Sequence, residues 1–110
     1  MSTVTNIIIY QGAEFFRTMT VVDNNNALID LTTYTIEGKL RKSYTATEYV
    51  PFVVNVINAA LGKISIALSS IITDTLTSSR YVYDLEMTGV NLKRYRILEG
   101  NIMINPTVTK

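Results

Sequence analysis

The sequence predicts an all-β protein, a sandwich of two antiparallel sheets with one short helical turn. Ile, Val and Thr fill about a third of the 110 positions, and seven tyrosines join them. Branched and aromatic side chains suit a pleated, half-buried surface. Apolar and polar residues alternate in about seven short segments, which turn residues separate at intervals of roughly eight to twelve positions. An up-and-down barrel is the competing architecture.

The seven predicted strands follow one another without a repeat or linker, so we expect one domain over residues 1–110. They cover residues 7–10, 15–22, 35–41, 49–57, 63–68, 80–88 and 92–105. Asp23-Asn24-Asn25-Asn26 is a turn, because Asn and Asp tolerate left-handed backbone. Residues 28–34 form a crossing segment in which Asp30 and Thr32 make local hydrogen bonds. Pro51 places the fourth strand at a sheet edge.

Alternation assigns one face of each strand to the core. The inward residues are Phe15, Met19 and Val21; Ile36, Gly38 and Leu40; Ile64, Ile66 and Leu68; and Tyr81, Tyr83, Leu85 and Met87. Residues 69–76 are the only helical stretch, capped by Ser69 or Ser70. The one or two turns of this helix should present Ile71, Ile72 and Leu76 to the core.

The last strand changes phase along its length. Tyr95 and Ile97 have odd numbers, whereas Ile102 and Ile104 have even numbers, so the inward parity switches near Glu99-Gly100. A glycine-containing bulge inserts one residue and produces such a switch. Burial of both faces by an assembly contact is the other explanation, and the two are compatible.

The composition excludes several kinds of chemistry. The chain has no Cys, His or Trp, which removes disulfides, thiol nucleophiles, Cys/His zinc sites, imidazole bases and the Ser-His-Asp triad. Lys+Arg 10 against Asp+Glu 9 gives a net charge of +1, so no bulk field attracts nucleic acid. No apolar run approaches the roughly 18–20 residues that span a bilayer, and Met1 to Asn6 does not resemble a signal peptide. We expect neither a nucleic-acid partner nor a membrane partner.

The candidates for chemistry are few. Asp84 and Glu86 lie on one face of a strand, roughly 7 Å apart, a separation that suits a calcium ion or glycoside hydrolysis. A solvated face is the favoured interpretation, with these carboxylates paired to Glu37-Lys39-Arg41 or Lys93-Arg94-Arg96 on neighbouring strands. The second of these runs also suits a phosphate patch, although three charges in a neutral protein more often pair with nearby carboxylates.

Other residue patterns indicate structure and no active site. The glycines at 12, 62, 89 and 100 lie at turns and at the bulge and form no phosphate-binding motif. Tyr81 and Tyr83 lack the basic groove that base stacking requires, and we assign them to the core. Ser and Thr are abundant, but no base activates them. The sequence therefore predicts no enzyme, no cofactor, and no catalytic, cofactor-binding or metal-binding residue.

Two blocks in the C-terminal half carry a family resemblance. The first is Tyr81-Val82-Tyr83-Asp84-Leu85-Glu86-Met87, and the second runs from Arg96-Ile97-Leu98-Glu99-Gly100 to Asn105-Pro106-Thr107-Val108-Thr109. Looser blocks are Gln11-Gly12-Ala13-Glu14-Phe15, residues 27–34 and residues 40–44. Over nearly the whole chain these blocks resemble a small structural protein of tailed phages, similar to the N-terminal domain of phage baseplate or receptor-binding-fibre proteins. Ser79 and Thr107 depart from that pattern, in which a glycine and an acidic residue are usual.

The resemblance implies an immunoglobulin-like β-sandwich that works by shape and self-association. It implies a virion protein, assembled in the host cytoplasm, that packs against other virion proteins and copies of itself in a symmetric assembly. The expected role is an assembly module at the tail, baseplate or neck that attaches fibres or decorates a ring. The alternatives are a capsid decoration protein and a module that binds host-surface glycan through Tyr44 and Tyr49. Residues 7–10 could pair with a neighbour's sheet edge, and Val108-Thr109-Lys110 could extend as an arm. An ordinary edge strand is the favoured interpretation.

Overall fold

The structure is a computed structural model that describes residues 3–23, 25 and 27–106. Parts of three sequence predictions lie outside these residues. They are Asn24 and Asn26 of the first turn, residues 107–109 of the second family block, and the arm at residues 108–110.

The described residues contain nine strands and one helix. They are β1 (Thr3–Val4), β2 (Ile7–Tyr10), β3 (Phe15–Thr20), β4 (Thr35–Arg41), β5 (Val50–Pro51), β6 (Val53–Asn58), β7 (Lys63–Leu68), α1 (Ser70–Thr75), β8 (Arg80–Thr88) and β9 (Arg94–Asn105). All seven predicted strands are present; one of them is divided, and β1 is an addition. The prediction of an all-β sandwich is confirmed.

The strands form two sheets, which we call sheet A and sheet B. Sheet A has the order β1-β9-β8-β4-β5, with β2 also on β9, and sheet B has the order β3-β7-β6. β1 and β2 run parallel to β9, with Ile7 opposite Ile102. The expectation of purely antiparallel sheets is therefore wrong for sheet A. No hairpin joins β2 to β9, so no local turn sets the direction of this pairing.

The predicted strand at residues 49–57 passes from one sheet to the other at Phe52. β5 pairs with β4 in sheet A, and β6 pairs with β7 in sheet B. The Phe52 N–H donates to the Gly38 carbonyl at 2.8 Å, and the Phe52 side chain is buried. The prediction of a single strand over residues 49–57 is therefore wrong. The edge position inferred from Pro51 is confirmed, because β5 and β6 are each the last strand of a sheet.

A bulge changes the phase of β9, as predicted, but three residues before Gly100. Leu85 pairs with Leu98 and Glu86 pairs with Arg96, which leaves Ile97 as the additional residue. Ile97 and Leu98 are both buried, and the even-numbered residues face inward from there. Gly100 has a different role: a Cβ at this position would overlap the Thr5 carbonyl oxygen.

The short helix begins where the sequence predicts, but another face of it is buried. The Ser69 hydroxyl accepts a hydrogen bond from the Ile72 N–H at 3.3 Å and caps α1. Ile71 and Ile72 are exposed, so their predicted packing is wrong, whereas Leu76 is buried. The Thr73 hydroxyl donates to the Ala13 carbonyl at 2.8 Å and so turns the Thr73 face inward. No helix among the described residues is long and apolar enough to cross a membrane.

Two aspartates shape the crossing from sheet B to sheet A. The Asp23 carboxylate accepts hydrogen bonds from the N–H groups of Asn25 and Ala27. Asp30 accepts from the hydroxyl and the N–H of Thr32, and these bonds lower the pKa of Asp30. The local bonds predicted for this segment are confirmed.

The core fills the space between the sheets. Ile64, Ile66 and Leu68 of sheet B and Leu40, Leu85, Met87, Ile102 and Ile104 of sheet A are almost fully buried. All the residues predicted to face inward on β7 and β8 are buried, while Met19 and Ile36 are partly buried at the margin. The core therefore agrees closely with the alternation in the sequence.

The buried face of α1 leads to a stability prediction. Leu76→Ala should lower the free energy of unfolding by about 2–4 kcal/mol, because Leu76 is only 4% exposed and its loss leaves a cavity. Ile71→Ala should change it by less than about 0.5 kcal/mol, because Ile71 is 78% exposed. Urea unfolding of the two variants measures both values, and equal losses would contradict the buried face assigned to α1.

Candidate functional site

The outer face of sheet A is charged. Its outward side chains include Glu37, Lys39 and Arg41 on β4, Asp84 and Glu86 on β8, and Arg94, Arg96 and Glu99 on β9. The two signs are interspersed, so the described part of this face has no strong field of one sign. Such a face is well solvated and suits contact with water.

Asp84 and Glu86 lie on this face, as the sequence predicts, and Arg96 lies beside them. The Arg96 Nε is 3.5 Å from the Asp84 carboxylate, and an Arg96 guanidinium nitrogen is 4.0 Å from the Glu99 carboxylate. The register places Lys39 opposite Asp84 and Glu37 opposite Glu86. Pairing of Asp84 with a neighbouring strand is therefore confirmed. Among residues 3–23, 25 and 27–106, no group of three or more acidic side chains is placed to hold a metal ion.

The predicted basic run is divided in the structure. Arg94 and Arg96 belong to β9, whereas Lys93 precedes the strand. Arg96 makes the two ion pairs just described, so its charge is largely compensated. The arrangement favours pairing with carboxylates over a phosphate patch.

Tyr44 lies in the loop that follows β4, and Tyr49 comes directly after that loop. Arg41 donates to the Ala46 carbonyl at 2.9 Å and holds this loop, residues 42–48. The Lys39 ammonium lies 4.3 Å from the centre of the Tyr49 ring, a cation–π distance. Both tyrosines are exposed, and Tyr49 lines an open groove of about 510 Å³. Exposed aromatic rings beside a groove are compatible with sugar stacking.

Tyr81 and Tyr83 are buried, so their assignment to the core is confirmed. The Tyr83 hydroxyl donates to the Thr5 carbonyl at 2.6 Å, between β1 and β2, and the ring packs beside Gly100. Burial raises the pKa of Tyr83 to about 12, and the nearby Arg17 guanidinium offsets part of that rise. This hydroxyl thus fixes the first strands of the chain against β8 and β9.

The outer face of sheet B differs from that of sheet A because it is nearly uncharged. The register forms two rows, Phe16–Ala67–Val53 and Thr18–Ser65–Asn55. The next row contains Thr20 and Lys63, and Lys63 is the one charged residue among these outward positions. Phe16 and Val53 are more than half exposed. Exposed apolar rings and branched side chains on an uncharged face are typical of a contact surface.

One of the two edges of sheet B is the strand β6, which has no charged residue. Val53 is 58% exposed, Val56 46% and Ile57 55%, and Ile57 forms a bulge against β7. Among the described residues, β7 is the only strand that pairs with β6. Natural proteins usually protect such an edge with charges or proline, since an exposed apolar edge readily pairs with another strand. Pro51 indicated an edge here, but the sequence gave no signal that this edge would be open and apolar.

β2 is also an outer strand, as the sequence predicts for residues 7–10. It pairs only with β9 among the described residues, and Ile8 and Tyr10 are exposed. The Tyr10 carbonyl already accepts a hydrogen bond from the Ala13 N–H at 3.1 Å. This edge therefore offers fewer free backbone groups than β6 does.

The comparisons with known proteins concern the shape alone. No family model and no curated protein matches the chain. An internalin-like protein of Listeria monocytogenes is similar in structure, with 17% identity and a TM-score of 0.45 over 96% of this chain and 28% of that one. A family 123 glycoside hydrolase from Clostridium perfringens has 16% identity and a TM-score of 0.44 over 97% of this chain and 24% of that one. This chain thus spans about a quarter of the length of each, and likenesses of this degree assign it no function.

The buried tyrosine leads to a prediction for alkaline pH. Folding raises the pKa of Tyr83 from 10.0 to about 12, so the folded state holds this proton more tightly than the unfolded chain does. The free energy of unfolding should therefore fall as pH rises from 10.0 to about 12, with Tyr83 contributing at most about 2 kcal/mol of that fall.

Urea unfolding of the wild type and Tyr83→Phe across this pH range measures the contribution. The difference in stability between the two proteins should shrink as pH rises, and Tyr81→Phe serves as the control. A difference that stays constant with pH would contradict the raised pKa of Tyr83.

Proposed function

We propose that this chain is a non-enzymatic structural protein of a tailed-phage virion, an assembly module at the tail, baseplate or neck. The observation that carries the proposal is the contrast between the two outer faces. Sheet A presents interspersed charges to water, whereas sheet B presents a nearly uncharged face and an open apolar edge. A surface of the second kind is stable in a particle where protein neighbours cover it permanently.

The family resemblance supplies the biological setting of the proposal. Its best-matching block includes β8, where Tyr81, Tyr83 and Leu85 form part of the core. In this setting the partners are other virion proteins and copies of the chain in a symmetric assembly. The immunoglobulin-like character of the sandwich and assembly in the host cytoplasm belong to the same proposal. A net charge of +1 accords with it, since a protein that diffuses freely usually carries more.

The experiment that tests this function is measurement of the protein in purified particles. Quantitative mass spectrometry should find it at a few to some tens of copies per virion, because tail, baseplate and neck rings have low symmetry. Hundreds of copies would contradict that position and indicate a capsid decoration protein. Absence from particles whose known tail proteins are detected would overturn the structural role itself.

A glycan-binding module is the second candidate, and the exposed Tyr49 beside the groove, together with the exposed Tyr44 in the preceding loop, favours it. If this function holds, the isolated protein should bind members of a glycan array, and Tyr49→Ala should weaken that binding at least about tenfold through lost stacking. Tyr10→Ala, which removes an exposed ring from β2, far from the groove in the chain, is the control. Equal binding by all three proteins, or no binding by the wild type, would eliminate this candidate.

A further inference from the structure

We propose that two copies of this chain associate through β6, antiparallel to each other, about a two-fold axis that passes beside Asn55. Two copies of sheet B would then form one continuous six-stranded sheet. The inference deepens the proposed function and rests on it, because it names the partner that covers the apolar edge. It is carried by the hydrogen-bonding pattern, the side-chain pattern and the charge of β6.

The free backbone groups of β6 belong to Val54 and Val56. Backbone groups alternate sides along a strand, so the residues of β6 that bond to β7 leave the groups of their neighbours facing outward. On the other side of β7, the Val21 N–H donates to the Gly62 carbonyl at 2.8 Å, so the even-numbered residues of β7 bond to β3 and the odd-numbered ones to β6. Ala67 and Ser65 lie opposite Val53 and Asn55, which therefore bond to β7 and leave Val54 and Val56 facing outward.

These groups are self-complementary. In an antiparallel pair, two residues exchange both of their hydrogen bonds at every second position. With Asn55 on the two-fold axis, Val54 of each copy lies opposite Val56 of the other. The N–H and C=O groups of both valines are then satisfied on both chains. The register is thus determined by the positions of the free groups.

The side chains agree with the same register. Val53 and Ile57 are both exposed on β6, and the two-fold axis brings Val53 of one copy opposite Ile57 of the other, twice in the dimer. Asn55 lies opposite Asn55, where the amides can bond to each other. Apolar cross-strand pairs of this kind stabilise a sheet.

Charge favours a second copy on this edge over the other open edges. Residues 53–58 contain no charged side chain, so self-pairing brings no like charges together. β3, the opposite edge of sheet B, contains Arg17, and self-pairing there would bring two guanidinium groups onto one edge. β2 has its Tyr10 carbonyl already occupied. Of these three edges, β6 is the one that pairs with itself at no electrostatic or hydrogen-bonding cost.

The test is sedimentation of the full chain over a wide concentration range. The wild type should form a concentration-dependent dimer. Val53→Lys should raise its dissociation constant at least about tenfold, because both copies lose an apolar pair. Phe16→Lys makes the same kind of change at an equally exposed position on β3, and should leave the dissociation constant within about twofold of the wild type.

A charge pair tests the register itself. Val53→Lys combined with Ile57→Glu places a lysine opposite a glutamate at both symmetric positions, so the double variant should dimerise at least about tenfold more tightly than Val53→Lys. Amide exchange of the wild type supplies a readout that requires no variant: the N–H groups of Val54 and Val56 should become protected as concentration rises. A wild type that stays monomeric, or amides whose exchange is independent of concentration, would overturn the proposal.

The remaining outcomes separate this inference from the proposed function. Loss of the dimer in Phe16→Lys but not in Val53→Lys would overturn edge pairing and indicate packing through the outer face of sheet B. A monomer that is nevertheless present in virions would refute the pairing alone, leaving another virion protein as the partner of β6. A dimer with these properties that is absent from virions would refute the virion role and support the pairing.

Discussion

The position of Phe52 is the constraint on which the rest of the structure depends. Its N–H is bound to the Gly38 carbonyl of sheet A, while its ring lies in the core, with its centre 6.3 Å from that of Phe15 and 6.0 Å from that of Tyr83. Gly38 makes room for this ring, because a Cβ there would lie 3.1 Å from both Leu85 and Phe52. One residue therefore joins the two sheets through a backbone bond and an aromatic cluster.

The two outer faces of the sandwich differ in charge and packing. On sheet A, Arg96 lies between Asp84 and Glu99, and Lys39 lies over Tyr49. Such exposed pairs contribute little to stability, but they keep the face hydrated and discourage association. On sheet B, Ser65 is nearly fully buried between Thr18 and Asn55 on the outward side. The exposed part of that row therefore consists of two uncharged side chains, Thr18 and Asn55.

The sequence predicted the regular part of this fold well because alternation reports burial directly. β4, β7 and β8 have the bounds that alternation indicates. The change of sheet at Phe52 could not be predicted, since Val50, Phe52 and Val54 keep one parity across it. In α1, the hydrophobicity of Ile71 and Ile72 favoured the wrong face, and the hydrogen bond of Thr73 determined the other. The bulge lies at Ile97 and not at the predicted position near Gly100. The sequence conceals the additional residue because Ile97 and Leu98 are both apolar and both buried.

The candidate surfaces were less accessible to sequence reasoning than the fold. The pairing of Asp84 with a basic neighbour followed from strand alternation. The exposure of Val53 and Ile57 did not follow from alternation, because apolar and polar residues alternate along an edge strand in the same way whether or not a neighbour covers it. Only the tertiary structure shows that, among the described residues, β6 pairs with β7 alone.

The parallel pairing of β2 with β9 has a mechanical consequence. β2 comes early in the chain and β9 late, yet they lie side by side and point the same way. Tension between the residues before β2 and those after β9 pulls the two strands in opposite directions along their common axis. Such a load falls on all of their backbone hydrogen bonds at once, in shear, and does not open them one at a time. The Tyr83 hydroxyl bound to the Thr5 carbonyl adds a side-chain hydrogen bond at the start of this pair, so a load in this direction would be resisted in shear along β9.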